Sequence, residues 1–177
     1  CALIHRPTVL FLDEPTTGVD VVSRREFWEM LKRLKHQGIT ILVSTAYMDE
    51  ATMCERIALI QNGEIMSIET PDKIIDSYSD KLFAIRSENM SKLLNDLRGM
   101  DEIKSCNAFG EFHHITYHKS VEGEWNGKSA EQQQVERLMQ FLQQLQHESI
   151  EIKEVEPTIE DCFIALMGDR NNSKTTQ

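Results

Sequence analysis

Hydrophobic positions in the first part of the chain follow a strand, helix, strand pattern. Val9 to Leu12 are consecutive apolar residues, which is typical of a parallel strand covered on both faces. Apolar residues then recur at helical spacing until Gly38; they are Phe27, Met30, Leu31 and Leu34. Ile39 to Ser44 is a second apolar, β-branched run. The pattern predicts two strands joined by a helix in a right-handed parallel crossover.

A predicted hairpin comes next. Arg56 to Gln61 and Glu64 to Glu69 carry apolar residues, and the Asn62-Gly63 pair between them suits a type I′ turn. Thr70-Pro71 ends the second strand, and the residues that follow predict a short helix that leaves this first region.

From Leu82 onward, the pattern predicts a β-α-β-β-α-β order, which is that of a ferredoxin-like split unit. Strands are predicted at 82–85, 102–108, 111–118 and 150–155, and helices at 90–97 and 135–145. A Thr158 cap with Asp161 three residues later starts a closing helix. Residues 169–177 are polar and lack aromatic side chains, and they are predicted to be disordered.

Two adjacent carboxylates, Asp13 and Glu14, stand at the end of the first predicted strand. Such an acid pair can simply end a strand. However, open α/β sheets bind ligands at this end, where one acid can help to hold Mg²⁺ and a second can orient an attacking water. The following residues favour such a site, since Pro15 stiffens the exit, Gly18 permits a positive φ and Asp20 can cap the next helix. Asp13 fits the metal role and Glu14 the water role.

Three segments resemble one known family. Leu12 to Asp20, which reads Leu-Asp-Glu-Pro-Thr-Thr-Gly-Val-Asp, resembles the Walker B and D-loop segment of ABC transporter ATPases. Ser44 to Ala51 resembles the switch segment of that family, and Pro157 to Phe163 resembles the ending common in drug-export and polysaccharide-export ATPases. The resemblance implies an ATP-binding subunit of an ABC exporter, which couples ATP binding and hydrolysis to transport.

The resemblance also implies roles for single residues. ATP and Mg²⁺ would be the cofactors, with Asp13 holding Mg²⁺ through water, Glu14 serving as the catalytic carboxylate and Asp20 communicating across the dimer interface. The family usually has a histidine at position 46 that contacts the γ-phosphate, whereas Ala46 can neither donate a hydrogen bond nor titrate. The site is therefore weakened, or sufficient without the imidazole, or the less active half of an asymmetric pair.

The domain organisation is interpreted from what the sequence contains. It has no Gly-rich loop with Lys and Ser or Thr and no Leu-Ser-Gly-Gly signature, and Cys1 to Pro7 resembles the helix tail that follows that signature. We therefore interpret the chain as a carboxy-terminal fragment, which alone is expected to bind ATP weakly and to be inactive. The expected fold is α/β: the carboxy-terminal part of a P-loop ABC ATPase core (1–70), a linker helix (71–80), an α+β ferredoxin-like accessory domain with the closing helix (81–168) and a disordered tail (169–177).

Composition limits the partners. With 29 acidic and 19 basic residues, the net charge is −10, which disfavours nucleic acid as a partner. No apolar run approaches the ~20 residues of a membrane-spanning helix. The resemblance implies a second ATPase unit and a membrane-spanning permease as partners, and a peripheral position at the cytoplasmic face of the cell membrane.

Two other interpretations stay open. The chain could itself act as a regulatory or dimerisation module of an ABC ATPase, through its ferredoxin-like domain. An ABC-type ATPase of chromosome maintenance or translation would share the acid pair. For such a protein, long coiled-coil heptads or basic patches would be expected, and the sequence has neither.

The cysteines and histidines do not predict a metal site. On a strand, His113 and His114 point to opposite faces, and His114 and His118 would lie about 13 Å apart at ~3.3 Å per residue, too far for one zinc. They are predicted to be solvent-facing. The cysteines show no Cys-x-x-Cys spacing and are predicted to be small buried hydrophobes. They are Cys1, Cys54, Cys106 and Cys162.

Overall fold

The computed structural model describes residues 7–118 and 130–174, which form mixed α/β structure. The earlier elements are β1 (Val9–Asp13), α1 (Val21–His36), β2 (Thr40–Ser44), α2 (Met48–Ala51), β3 (Ile57–Gln61), β4 (Glu64–Glu69) and α3 (Pro71–Asp76). The later elements are β5 (Leu82–Arg86), α4 (Met90–Arg98), β6 (Ile103–Phe109), β7 (Phe112–Tyr117), α5 (Ala130–Gln144), β8 (Glu151–Val155) and α6 (Ile159–Lys174). They group into two compact units. Unit 1 combines the chain up to Ser77 with the segment from Thr158, and unit 2 is Tyr78–Pro157.

Strands β1 and β2 form the predicted parallel pair, with Val9 opposite Thr40 and Asp13 opposite Ser44. Helix α1 packs on one face of this pair, where buried Leu10 meets Trp28 and Leu31. The other face is open in the described part of the chain, where Phe11 is 72% exposed and Leu42 is 60% exposed. The prediction that β1 is covered on both faces is therefore wrong for these residues, because α1 packs against one face only.

Strands β3 and β4 pair antiparallel and confirm the predicted hairpin. Asn62 has a φ of 51° and Gly63 a φ of 77°, the positive values that a type I′ turn requires. Helix α3 follows with Thr70 as its N-cap, since the Thr70 hydroxyl oxygen accepts a hydrogen bond from the Lys73 N–H at 3.3 Å. Its first residue is Pro71. A proline is well tolerated at this position, because the N–H that it lacks would have no partner within the helix.

Helix α6 begins with the predicted capping pair. The Thr158 N–H and hydroxyl donate to Oδ2 of Asp161 at 2.9 and 2.7 Å, and the Asp161 N–H donates back to the Thr158 hydroxyl oxygen at 3.3 Å. The helix continues to Lys174, so residues 169–174 are helical rather than disordered as predicted. Once a capped first turn exists, each further residue adds a hydrogen bond at little cost, which explains the extension. Residues 175–177 of that prediction lie outside the described residues.

The packing of α6 corrects the predicted domain boundaries. This helix contacts α2 and α3 and belongs to unit 1, not to an accessory domain spanning 81–168. Helix α3, predicted as a linker within 71–80, is also part of unit 1. The physical reason is that α6 buries apolar side chains near its start, where Ile159 is 1% exposed and Cys162 is 3% exposed.

Unit 2 has the predicted β-α-β-β-α-β element order. Its four strands form one antiparallel sheet in the order β6-β7-β5-β8. Helices α4 and α5 supply buried leucines to a core with the sheet; its fully buried members are Ile85, Leu93, Leu97, Ile115, Leu138 and Leu142. No helix in the described parts of either unit has the length and apolar character needed to cross a membrane.

Candidate functional site

The acid pair lies where the sequence predicts, at the carboxyl ends of β1 and β2. Asp13 ends β1 opposite Ser44, and the Ser44 hydroxyl donates a hydrogen bond to Oδ1 of Asp13. The N–H of Glu14 donates to both the carbonyl oxygen and the hydroxyl oxygen of Ser44, at 3.0 and 3.1 Å. Both carboxylates are exposed, so an ion or a phosphate can reach them. Ser44 thus joins the two strand ends and orients Asp13, a role that sequence reasoning missed.

Glu14 has a backbone conformation that is uncommon for a residue with a side chain. Its φ is 42°, in the left-handed region, and the Thr17 N–H closes the turn on the Glu14 carbonyl at 3.2 Å. The Thr17 hydroxyl donates to Oε2 of Glu14 at 3.1 Å and fixes one carboxylate oxygen. Backbone conformations of this kind cluster at functional sites, where they aim a side chain. The turn therefore holds the Glu14 carboxylate beside the end of β1.

Asp20 caps α1 as predicted. Its Oδ1 accepts hydrogen bonds from the N–H groups of Val22 and Ser23, both at 3.0 Å. Hydrogen bonds from Ser23, followed by that from Val22, lower the pKa of this carboxyl, so it stays ionised at the positive end of the helix. Asp20 is exposed, and in this chain its demonstrated contact is the helix cap.

Ala46 lies on the loop between β2 and α2 and presents only an exposed methyl group. It lines a groove of about 520 Å³ within unit 1, between this loop and helix α6. The groove-lining residues are Ala46, Tyr47, Met48, Asp49, Glu160, Phe163, Ile164 and Met167. Position 46 therefore has open space beside it and no polar side chain of its own.

Sequence reasoning also missed a buried carboxylate behind the site. Glu50, on α2, is 0% exposed, and its two oxygens accept hydrogen bonds from the hydroxyls of Thr16 and Thr45, each at 2.7 Å. Nε of Arg24 lies 3.6 Å from Oε1 of Glu50. Burial raises the pKa of Glu50, but the threonine hydrogen bonds, the nearby Trp28 side chain and the Arg24 charge outweigh it and leave the pKa below its usual value.

No sequence signal distinguished Glu50 from exposed acids. Helix α2 has only four residues, which is too short to show a periodic pattern. The hydroxyl partner Thr16 is 34 residues away in sequence. Only the fold brings these groups together, with the Arg24 guanidinium 4.2 Å from the ring centre of Tyr47 beside them.

The donor atoms at Asp13 fit a magnesium ion. Its exposed carboxylate and the Ser44 hydroxyl are hard oxygen donors, which Mg²⁺ prefers. Among the described residues no group of three or more His, Cys, Asp or Glu is arranged to hold a metal. One carboxylate beside a hydroxyl fits Mg²⁺, which commonly takes one or two carboxylates and completes its shell with water and phosphate oxygens.

The histidines differ from the prediction in one respect. His113 is buried, and its Nε2 lies 2.8 Å from the Met90 carbonyl oxygen, so it is not solvent-facing. On β7 it lies on the same face as Ile115 and Tyr117, which belong to the core of unit 2. His114 is stacked on Phe109, with ring centres 4.2 Å apart, and His118 is exposed.

Two of the three cysteines in the described residues are buried, as predicted. Cys106 and Cys162 are buried, and burial raises the pKa of each thiol to about 11. Cys54 is half-buried, its thiol is free, and its Sγ–H donates to the Glu50 carbonyl oxygen at 3.9 Å. Cys1, with the helix tail predicted for the first residues, lies outside the described residues.

Three known proteins that are similar to the chain are each named as an ATP-binding protein. No protein-family model matches the chain. It is 29% identical over 177 residues to the daunorubicin resistance ATP-binding protein DrrA2 of Streptomyces coeruleorubidus, covering 97% of this chain and 52% of that protein. It is 47% identical over 74 residues to the "Probable multidrug ABC transporter ATP-binding protein YbhF" of Escherichia coli (strain K12), covering 42% of this chain and 13% of that protein.

A third relative is the Nod factor export ATP-binding protein I of Burkholderia orbicola, 43% identical over 77 residues, or 43% of this chain and 25% of that protein. The chain spans about half the length of DrrA2, although the match covers almost the whole of this chain. These matches point to ATP-binding proteins. The same conclusion is indicated by the segment Leu12 to Asp20 and by the geometry around Asp13 and Glu14. The chain is therefore similar to ATP-binding proteins of ABC transporters and related export systems.

Proposed function

We propose that this chain is the acid-bearing, carboxy-terminal part of an ATP-binding subunit that couples ATP hydrolysis to export. The observation that carries the proposal is the placement of Asp13 and Glu14 side by side at the carboxyl ends of two parallel strands. Both acids are exposed, and each is oriented by a hydroxyl, Ser44 for Asp13 and Thr17 for Glu14. Positioned acids are what phosphoryl transfer to water requires.

The two acids have different roles in this proposal. Asp13 would hold Mg²⁺ through water, and the Ser44 hydroxyl keeps its carboxylate in place. Glu14 orients the attacking water and accepts its proton, since one of its oxygens is held by Thr17 and the other can face the water. The bound magnesium would supply charge stabilisation for the phosphate oxygens.

Ala46 makes the site depart from its family pattern. The proposal is that hydrolysis relies on Glu14 and the metal ion, and that turnover is slower than it would be with a donor at position 46. The groove beside Ala46 has room for a larger side chain, which makes this idea testable. A site of this kind could also be the less active member of an asymmetric pair.

The proposed partners follow from the family. They are a second ATPase unit, with Asp20 near the shared interface, and a membrane-spanning permease at the cytoplasmic face of the membrane. The net charge of −10 supports partners other than nucleic acid. Unit 2 is proposed to be a ferredoxin-like accessory domain, because its element order and its β6-β7-β5-β8 sheet agree with that topology.

The test uses a complete subunit, in which this chain replaces the matching part of DrrA2; we name this protein the DrrA2 chimera. In the chimera, Glu14→Gln is expected to lower kcat by about 10²-fold or more, because the amide cannot accept the proton of the attacking water. The Kd for ATP should change less than about threefold, because shape and hydrogen bonding are kept. Steady-state hydrolysis and equilibrium binding of a fluorescent ATP analogue provide the two measurements.

A matched control is Glu26→Gln, which makes the same chemical change at an exposed position on α1. It should leave kcat and the Kd for ATP as they are in the unmodified chimera. Equal losses of hydrolysis and binding in Glu14→Gln would mean that Glu14 is structural. A chimera that binds ATP but never hydrolyses it would contradict the proposal of a competent site. The 177-residue chain by itself should show no turnover, because it lacks a phosphate-cradling loop.

A second candidate function is a regulatory or dimerisation module. It is favoured by the separate core of unit 2 and by Phe141 on α5, which is 37% exposed. Sedimentation velocity of the chain over a range of concentrations distinguishes a dimer from a monomer and so tests this function. A dimer that Phe141→Glu abolishes would support the module, whereas a monomer at high concentration would argue against it.

A further inference from the structure

The strongest unexplained feature of the molecule is the environment of Glu50. Its side chain is completely buried, and each oxygen has a different loop as its partner. Oε1 accepts from Thr16, on the loop after β1, and Oε2 accepts from Thr45, on the loop after β2, both at 2.7 Å. One carboxylate therefore bridges the two loops that carry the candidate catalytic residues.

The bridge reaches the backbone on both sides. The Thr45 hydroxyl oxygen accepts from the N–H of Tyr47 at 3.1 Å, so the segment around Ala46 is tied to it. Thr16 is 1% exposed, and its carbonyl oxygen accepts from the N–H of Val19 at 3.0 Å. It also sits inside the turn that fixes Glu14.

Burying a carboxylate is unfavourable unless all its interactions are satisfied. Here two hydroxyls donate to it and Arg24, on α1, supplies a nearby positive charge. The Arg24 guanidinium also reaches Asp49 at 4.0 Å. Removing any one partner would leave a buried charge poorly compensated, so the groups are held as a set.

We propose that Glu50 is a positioning residue that couples the two loops, so that Glu14 and the segment around Ala46 are held or displaced together. Ala46 itself has no polar side chain that could join the loops. The Thr16–Glu50–Thr45 bridge provides this connection behind the site. The significance of the coupling for hydrolysis rests on the proposed function, whereas the coupling itself is a property of this chain.

The first test uses the unmodified chain. Coupled loops open in one event, so the amides of Val19 and Tyr47 should show hydrogen-exchange protection factors within about threefold of each other. Their protection should also decline with the same slope as guanidinium is added below the unfolding transition. Different slopes, or protection factors that differ by more than about tenfold, would overturn the proposal.

Variants then test the direction of the coupling. Thr16→Val removes one hydroxyl at nearly constant shape and should raise exchange at Tyr47, on the other loop, by about fivefold or more. Thr16→Ser restores the hydroxyl and should return Tyr47 to the wild-type rate. The matched control is Thr17→Val, which alters the neighbouring hydroxyl that contacts Glu14 instead of Glu50, and which should leave Tyr47 unchanged.

A reference amide distinguishes a general loss of stability from a specific loss of coupling between the two loops. Leu59, on β3 of unit 1, should keep its exchange rate in Thr16→Val. If Leu59 and Tyr47 accelerate equally, or if Tyr47 is unaffected, Glu50 has a purely structural role and the proposal fails. If Thr16→Val does not fold, the comparison of the Val19 and Tyr47 amides in the unmodified chain still tests the proposal.

These experiments contain no nucleotide, so their failure leaves the proposed function intact. An inactive DrrA2 chimera would likewise leave the coupling result unaffected.

Discussion

At the residue scale, position 46 offers the sharpest test of how this site differs from the ABC transporter ATPases that the chain resembles. Ala46→His in the DrrA2 chimera is expected to raise kcat, because an imidazole can donate a hydrogen bond near the terminal phosphate. Groups of this kind contribute roughly 1–3 kcal/mol to transition-state stabilisation, so an increase of about 5- to 150-fold is expected. The Kd for ATP should change little. Rapid-mixing measurement of phosphate release, together with equilibrium binding, checks both values.

Ala46→Phe is the control, because it places a ring in the same groove without a hydrogen-bond donor. It should not accelerate hydrolysis. If turnover is unchanged or falls in Ala46→His while ATP affinity is retained, then the site has been rebuilt around alanine, and the idea of a weakened switch is wrong.

At the scale of elements, helix α5 shows how unit 2 is held together. Leu142 is 0% exposed and lies in the core that α4, α5 and the four-stranded sheet share. Leu142→Ala removes buried methyl groups and leaves a cavity, so it should lower the free energy of unfolding by about 2–5 kcal/mol. Urea unfolding followed by circular dichroism measures the change.

The neighbouring residue gives the comparison. Phe141→Ala alters a larger side chain that is 37% exposed, and it should cost less than Leu142→Ala despite the greater loss of volume. If the two substitutions have equal effects, or if Phe141→Ala costs more, then the face of α5 that packs on the sheet has been assigned incorrectly.

At the scale of the whole molecule, Glu50 predicts how unit 1 responds to acid. Its pKa is lowered in the folded chain by the threonine hydrogen bonds, the Trp28 side chain and Arg24, which together outweigh the opposing effect of burial. The unfolded chain therefore binds a proton first as pH falls, and the stabilisation present above the ordinary glutamate value of 4.5 is lost below it. The free energy of unfolding of unit 1 should fall as pH drops from 5 toward 3.

The measurement follows Trp28, which is buried in unit 1. Trp125→Phe removes the second tryptophan of the chain, so that fluorescence during urea unfolding reports Trp28 alone. Glu50→Gln should reduce the slope of stability against pH in this range, because that group no longer titrates. An unchanged slope in Glu50→Gln would assign the acid sensitivity to other carboxylates.

Features that depend on a few neighbouring residues could be predicted from the sequence alone. The Asn62-Gly63 turn, the Asp20 cap and the Thr158–Asp161 capping pair all involve groups within four positions of each other. Hydrophobic periodicity likewise predicted the β1-α1-β2 crossover and the element order of unit 2, because it reports directly which face of an element is apolar. The acid pair was found because a strand and its following turn position it locally.

The remaining features depended on which surfaces meet, and only the tertiary structure decided them. Glu50 reads as an ordinary surface acid until the fold brings hydroxyls from two loops to it, one of them 34 residues away. Helix α6 joins unit 1 because α2 and α3 contact it, although its sequence follows directly after unit 2. The bare face around Phe11 has the same cause: an apolar run shows that a strand can be buried, but only the packing of other elements determines which face is covered.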